Sequence, residues 1–217
     1  MSIVKLALGL LSAYLLGSFP TGVIVGKLFF HKDPRDGGSG ATGATNIFRQ
    51  FGAAAGIAVS AVDLAKGALA VALCSALGSA SSDSLIPLIA LKIAGALFAI
   101  LGHVYPVFAG FRGGKGVATG AGAILAIAPG AALYSAAGFL LVLGATGIVS
   151  ASSLAAALIL PAAVALGAAG SPPSPWFLGF SVILAAFVVF THRANIGRIL
   201  KGKEKSFDKL KFLRRRR

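Results

Sequence analysis

Acidic side chains are scarce in this sequence of 217 residues, where six Asp and Glu stand against twenty Lys and Arg. So few carboxylates provide no pair suited to general acid–base work, and with only three histidines there is no cluster suited to a metal ion. Cysteine occurs once, which excludes an internal disulfide. Cys74 sits in an apolar run and reads as a packing residue, not as a thiol nucleophile. Charged residues of any sign make up only 12% of the chain, about half the share of a soluble domain. Long polar linkers are missing too, so residues 1–200 read as one integral-membrane domain, followed by a basic cytoplasmic tail over 201–217.

What is abundant is apolar. Hydrophobic residues reach 57% and the mean hydropathy is +0.89, which describes an all-α, polytopic membrane bundle. A crossing helix needs roughly 20 apolar residues. The candidates are Ile3–Phe30, Gly52–Gly78, Leu85–Phe108, Gly130–Val149, Ser152–Ala169 and Pro175–Thr191. Val117–Ala128 is shorter and just spans if its helix starts nearer Gly114, with Ala128-Pro129-Gly130 breaking it from the next. About seven crossings result. The run from Ile3 is too long for a signal-peptide core.

Charge placement orients the bundle. With the N-terminus outside, Lys32, Arg35, Arg49, Arg112, Lys115 and the tail all fall inside. The Ser-rich turn Gly78–Ser84, the Ala-Pro-Gly break and the segment 170–175 fall outside without a Lys or Arg. Eleven of the twenty Lys and Arg lie at or beyond Arg193. Such a tail suits an anionic inner leaflet. No aromatic-interleaved module accompanies it, so nucleic acid is not expected as a partner. Frequent Gly and Ala, as in Ala53-Ala-Ala-Gly56, read as close helix packing.

Two glycine-rich basic segments stand apart from this apolar background, and both are expected on the inner face. In Gly37-Gly-Ser-Gly-Ala-Thr-Gly-Ala-Thr-Asn46 the glycines permit tight turns, and Ser39, Thr42, Thr45 and Asn46 offer polar side chains. Arg49 follows at helical spacing, which makes either an anion nest at the start of a short helix or a mobile loop. Phe111-Arg-Gly-Gly-Lys-Gly116 leads directly into an apolar helix, placing free N–H groups and Lys115 at a helix N-terminus. It lacks the Gly-Lys-Ser/Thr ending of a nucleotide loop.

Thr191-His-Arg-Ala-Asn195 leaves the last crossing on the same side. His192 and Asn195 share a face if the helix continues, where they could bind a hydroxyl or a phosphate. Asp63 and Lys66, three apart within a crossing, form either a structural ion pair or the lining of a site. His103 either braces the second glycine segment or is a satisfied structural histidine, the better reading. The residues five after His31, His103 and His192 are Asp36, Phe108 and Gly197, so no supported His-x4-Asp acyl-transfer motif exists.

Taken in order, several motifs resemble the bacterial acyl-phosphate:glycerol-3-phosphate acyltransferases, the PlsY family. They are Gly17-Ser-Phe-Pro-Thr-Gly22, Gly37 to Arg49, Asp63-Leu-Ala-Lys-Gly67, Gly102-His-Val-Tyr-Pro-Val-Phe108, Phe111 to Gly122 and His192-Arg-Ala-Asn-Ile196. The resemblance implies a seven-helix membrane enzyme that moves an acyl chain from acyl phosphate to the 1-hydroxyl of glycerol 3-phosphate. It implies no cofactor, a substrate phosphate as proton acceptor, and a multi-pass protein of the bacterial inner membrane with its active site toward the cytoplasm. Besides both substrates and the bilayer, an enzyme producing acyl phosphate is the implied partner. On this reading Ser39, Lys115 and His192 are catalytic. Gly40, Thr45, Asn46, Arg49, Gly113, Gly114, Gly116, Ser153 and Asn195 bind substrate. One departure is Ala41, which stands where the family usually has Asn, with Thr42 in the next, variable position. A membrane transporter of an organophosphate or other anion is the alternative.

Overall fold

A computed structural model describes residues 2–79, 86–170 and 172–207. The Ser-rich turn assigned to the outer side falls largely, and the run Arg214–Arg217 entirely, outside the described residues. Ten α-helices follow one another, with no strand among the described residues. They are α1 (Ile3–Ser18), α2 (Thr21–Phe30), α3 (Ala44–Phe51), α4 (Ala53–Ser79), α5 (Leu88–Val104), α6 (Val117–Ile127), α7 (Pro129–Thr146), α8 (Val149–Ala165), α9 (Pro175–Thr191) and α10 (Arg193–Leu200). They form two compact units, Met1–Ile127 and Ala128–Arg217.

Among the described residues four segments are long and apolar enough to cross a bilayer: Ile3–Phe30, Ala53–Gly78, Leu88–Ala109 and Pro129–Thr146. A fifth is added if α9 and α10, bent by 63°, count as one span. The other two expected crossings fall on the shorter apolar helices α6 and α8. The start nearer Gly114 that would let the α6 run just span is not adopted. Gly116 adopts φ +80, a left-handed conformation that ends the turn, and the helix starts at Val117. The first apolar run is likewise two helices. Pro20 lacks an N–H and restricts Phe19, so the ladder breaks between Ser18 and Thr21.

In the first unit, α1 packs on α5 and α4, α4 packs on α5 and α6, and α3 lies along α4. Glycines set these crossings in reciprocal pairs. A Cβ at Gly17 would land on the Ala99 carbonyl, and one at Gly102 on the Tyr14 carbonyl. Gly67 meets the Thr119 carbonyl in the same way, and Gly122 meets that of Leu64. Backbone therefore touches backbone, as the small-residue composition predicted. Cys74 is buried with Ala13, Ala70 and Ala99, a packing role. In the second unit α7 packs on α8, α8 on α9, and α10 touches both α8 and α9.

Candidate active site

The first glycine segment is an ordered loop between α2 and α3, and its organiser is Asn46. This side chain is 2% exposed. Its Nδ2 donates to the carbonyls of Pro34 and Ala41, each at 2.8 Å, and to Gly37 at 3.3 Å, while Oδ1 accepts the Ser39 N–H at 3.0 Å. Gln50, one turn further along α3, repeats part of this task, donating to Pro34 at 2.9 Å and Gly37 at 3.2 Å. Asn46 thus works inside the loop, turning Ser39 and Gly40 to an exposed surface. Thr45 and Arg49 are half-buried on α3. Ala41 contributes its carbonyl to this staple.

The loop is tied at its start by an ion pair. Arg35 donates through Nε to Asp33 Oδ1 at 2.9 Å and through Nη2 to Oδ2 at 2.6 Å, and its Nη1 reaches the Ala109 carbonyl at 2.9 Å. The Arg35 hydrogen bonds hold the Asp33 carboxyl well below the usual carboxylate range despite its partial burial. The same hydrogen bond raises the Arg35 guanidinium.

Ala109 ends the turn just before the second glycine segment, so Arg35 ties the start of the first loop to the approach to the second. The two segments meet where the Thr42 N–H donates to the Gly113 carbonyl at 3.4 Å. The second segment rests on the end of α5, with the Gly114 N–H donating to the His103 carbonyl at 3.1 Å. No side chain fits here. A Cβ at Gly113 would strike the His103 carbonyl and lie 2.6 Å from Pro106 Cδ, and one at Gly114 would overlap the His103 ring. His103 therefore braces this segment, the less favoured of its two sequence readings. Half-buried Lys115 sits between Gly114 and Gly116, immediately before the N–H groups that open α6.

Beneath these loops lies the ion pair expected within the second crossing. Lys66 Nζ is 2.9 Å from Asp63 Oδ1 and donates to the Phe19 carbonyl at 3.2 Å. Thr21 Oγ1 donates to Asp63 Oδ1 at 3.2 Å, and His103 Nδ1 lies 3.6 Å from the same oxygen. Thr21, Thr42, Asp63, Lys66, His103 and Pro106 line a small cavity.

The second unit holds the remaining sequence-predicted residues. The condition that the last helix continues past His192 is not met. His192 ends α9 and precedes α10, and the chain bends there. Its ring is 2% exposed, with Nδ1 2.8 Å from the Val188 carbonyl. A carbonyl only accepts, which assigns a proton to Nδ1 and, in the neutral ring, the lone pair to Nε2. Asn195 is buried and donates to Glu204 Oε1 at 2.6 Å, which Ser150 Oγ also reaches at 2.8 Å. Arg198 Nε binds Glu204 Oε2 at 2.6 Å. Burial pushes the Glu204 carboxyl up, but hydrogen bonds from Arg198, Asn195 and Ser150 outweigh it and hold the group below its ordinary value. Ser153 is buried, its hydroxyl donating back to the Val149 carbonyl at 2.9 Å.

This architecture has clear relatives. The sequence model of the family described as glycerol-3-phosphate acyltransferase matches residues 7–202. The chain belongs to that family. A glycerol-3-phosphate acyltransferase of Staphylococcus carnosus is 43% identical over 199 residues, covering 92% of this chain and 96% of its own. The counterpart from Enterococcus faecalis is 43% identical over 208 residues, covering 92% and 91%. The crystal structure of PlsY, an integral membrane glycerol 3-phosphate acyltransferase in its glycerol 3-phosphate form, superposes with a TM-score of 0.82. It is 34% identical and covers 96% of this chain and 98% of its own. PlsY in its lysophosphatidic acid form gives a TM-score of 0.80 at 33% identity. This acyltransferase is therefore a multi-pass protein of the membrane, as its composition predicted.

Among the residues singled out from sequence, the first unit brings together the loops that carry Ser39 to Asn46 and Gly113 to Gly116. The second unit carries Ser153, His192 and Asn195. Sequence reasoning missed Gln50, Arg35 and Glu204. Gln50 follows Asn46 at i+4 on one face of α3, which was a usable signal. Glu204 carried a signal in its rarity, a carboxylate standing among Lys201, Lys203 and Lys205.

Proposed function

We propose that this acyltransferase moves a fatty acyl group from acyl phosphate to the 1-hydroxyl of glycerol 3-phosphate, giving lysophosphatidate and inorganic phosphate. The supporting observation is the junction of two glycine-rich segments, each leading into a helix, with Lys115 in the second segment and Arg49 on the helix that follows the first. Amide N–H groups, helix N-termini and cations are the chemistry that receives phosphate, and both reactants carry one. Family membership supports the acceptor, since PlsY has been crystallised in glycerol 3-phosphate and lysophosphatidic acid forms.

In this reaction the acceptor oxygen attacks the acyl carbon, the bond from that carbon to the phosphate oxygen breaks, and the hydroxyl proton passes to a substrate phosphate. Phosphate is already a good leaving group, so positioning and charge stabilisation suffice. Ser39, Gly40 and Thr45 hold the donor. Lys115 with Gly113, Gly114 and Gly116 bridges the phosphates. Arg49, His192 and Asn195 orient the acceptor, Ser153 contacts a substrate, and Asn46 shapes the loop that carries Ser39 and Gly40. The protein is a multi-pass protein of the bacterial inner membrane with its N-terminus outside, its reaction on the cytoplasmic face, and a partner enzyme supplying the acyl phosphate. The distribution of Lys and Arg supports this orientation.

Purified protein supplied with palmitoyl phosphate and glycerol 3-phosphate should release phosphate and lysophosphatidate in equal amounts. Lys115→Ala should abolish turnover with the fold intact. Well-folded protein that forms product only from a thioester donor, or a fully active Lys115→Ala variant, would overturn this reading.

A further inference from the structure

Asp63, Lys66 and His103 are 2%, 6% and 6% exposed, within helices that belong to membrane-spanning segments. Ionisable groups in such surroundings are expensive and call for a task. Their partners suggest one, because every contact leads to a chain break or a glycine loop. Lys66 holds the Phe19 carbonyl at the break between α1 and α2. Thr21, two residues on, donates to Asp63. Asp63 faces His103 Nδ1, which leaves the Nε2 edge of the ring toward the second glycine segment. All three atoms nearest to an added Cβ at Gly114 belong to that ring: Nε2, then Cε1 at 3.0 Å and Cδ2 at 3.1 Å. The neighbouring Gly113 carbonyl accepts the Thr42 N–H, and the Thr42 carbonyl in turn presses on Gly22 of α2, where a Cβ would strike it.

We propose that Asp63 and His103 are positioning residues: Asp63 sets the His103 ring, and the ring, with its own carbonyl, fixes Gly113–Gly114 and through them Thr42 in the arrangement the substrate phosphate requires. This rests on the reading of the glycine junction as a phosphate site. A carboxylate behind a histidine is a common way to lock ring orientation, and its removal leaves the ring free to turn. A glycine loop displaced by about 1 Å is enough to cost up to 10²-fold in rate.

The test is a cycle between His103 and Gly114 in the full-length protein. His103→Asn keeps an N–H donor for Asp63 but withdraws the ring edge from Gly114. It should lower kcat/KM by about 10- to 10²-fold through a raised KM for a phosphate substrate, with the thermal unfolding temperature unchanged. Gly114→Ala alone should be severely impaired. Combined with His103→Asn it should recover at least about tenfold over the single Gly114→Ala variant, because the atoms it strikes are gone. His103→Ala takes the same place in the cycle if the Asn variant does not fold. A double variant no better than Gly114→Ala would overturn the proposal. So would unchanged hydrogen exchange at amides 111–116 in His103→Asn without substrate. Faster exchange there with both substrate KM values unchanged would instead overturn the phosphate-site reading beneath it.

Discussion

Replacing Asn46 separates an internal staple from a direct substrate ligand. Asn46→Ala removes bonds to Pro34, Ala41 and Gly37 and the bond from Ser39. Gln50 still serves Pro34 and Gly37, and exposed Ser39 regains water, so the Ala41 carbonyl is left worst off. At about 1 kcal/mol for the one net bond lost, and up to about 3 kcal/mol for leaving the Ala41 carbonyl unsatisfied, the local cost is a loss of about 5- to 10²-fold in hydrogen-exchange protection over residues 34–46. Asn46→Asp is nearly isosteric yet should be worse, since a carboxylate oxygen would face carbonyl oxygens that Nδ2 now approaches to 2.8 Å. Exchange mass spectrometry of the detergent-solubilised protein without substrate measures both. Unchanged protection in either variant alongside lost acyl transfer would refute the staple, and would mean that Asn46 acts on substrate directly.

Two other outcomes follow from the packing and the charges. Gly122→Ala should lower the thermal unfolding temperature by forcing α4 and α6 apart, at a cost of about 1–3 kcal/mol, because its Cβ lands on the Leu64 carbonyl. Gly179→Ala, with nothing within 4 Å, should be neutral or gain up to about 1 kcal/mol of helix propensity. The folded Glu204 carboxyl lies below its ordinary value, so the stability it contributes is complete above the unfolded carboxylate pKa of about 4.3 and fades as pH falls through the folded value. Limited proteolysis at residues 201–207 should therefore rise between about pH 4 and lower values, and Glu204→Gln should lose that pH response.

The membrane class, the packing role of small residues and the two glycine segments were legible because each rests on a local signal: hydropathy, residue size, or φ freedom beside a cation. For His103 the brace was one of two open readings, because it lies shortly before the segment it supports but could have been satisfied within the bundle. The work of Asn46 was not. Its side chain offered the same donors to an anion as to Pro34, Gly37 and Ala41, and only loop closure decides between them. Glu204 was hidden by summing the tail as net charge, which conceals one carboxylate held by Ser150, Asn195 and Arg198. Pro20 marked the break in the first apolar run, but a hydropathy window runs through it.

At the α1–α5 and α4–α6 crossings the main chains lean on one another with nothing in between. An interface of that sort has no rotamers to rearrange, so it does not adjust when residues on the outer surface are exchanged. Leu8, Leu11, Leu69, Leu101 and Leu125 point outward from these same helices. Evolution can retune that oily coat for a thicker, thinner or more fluid bilayer while the end that carries the glycine loops keeps its dimensions.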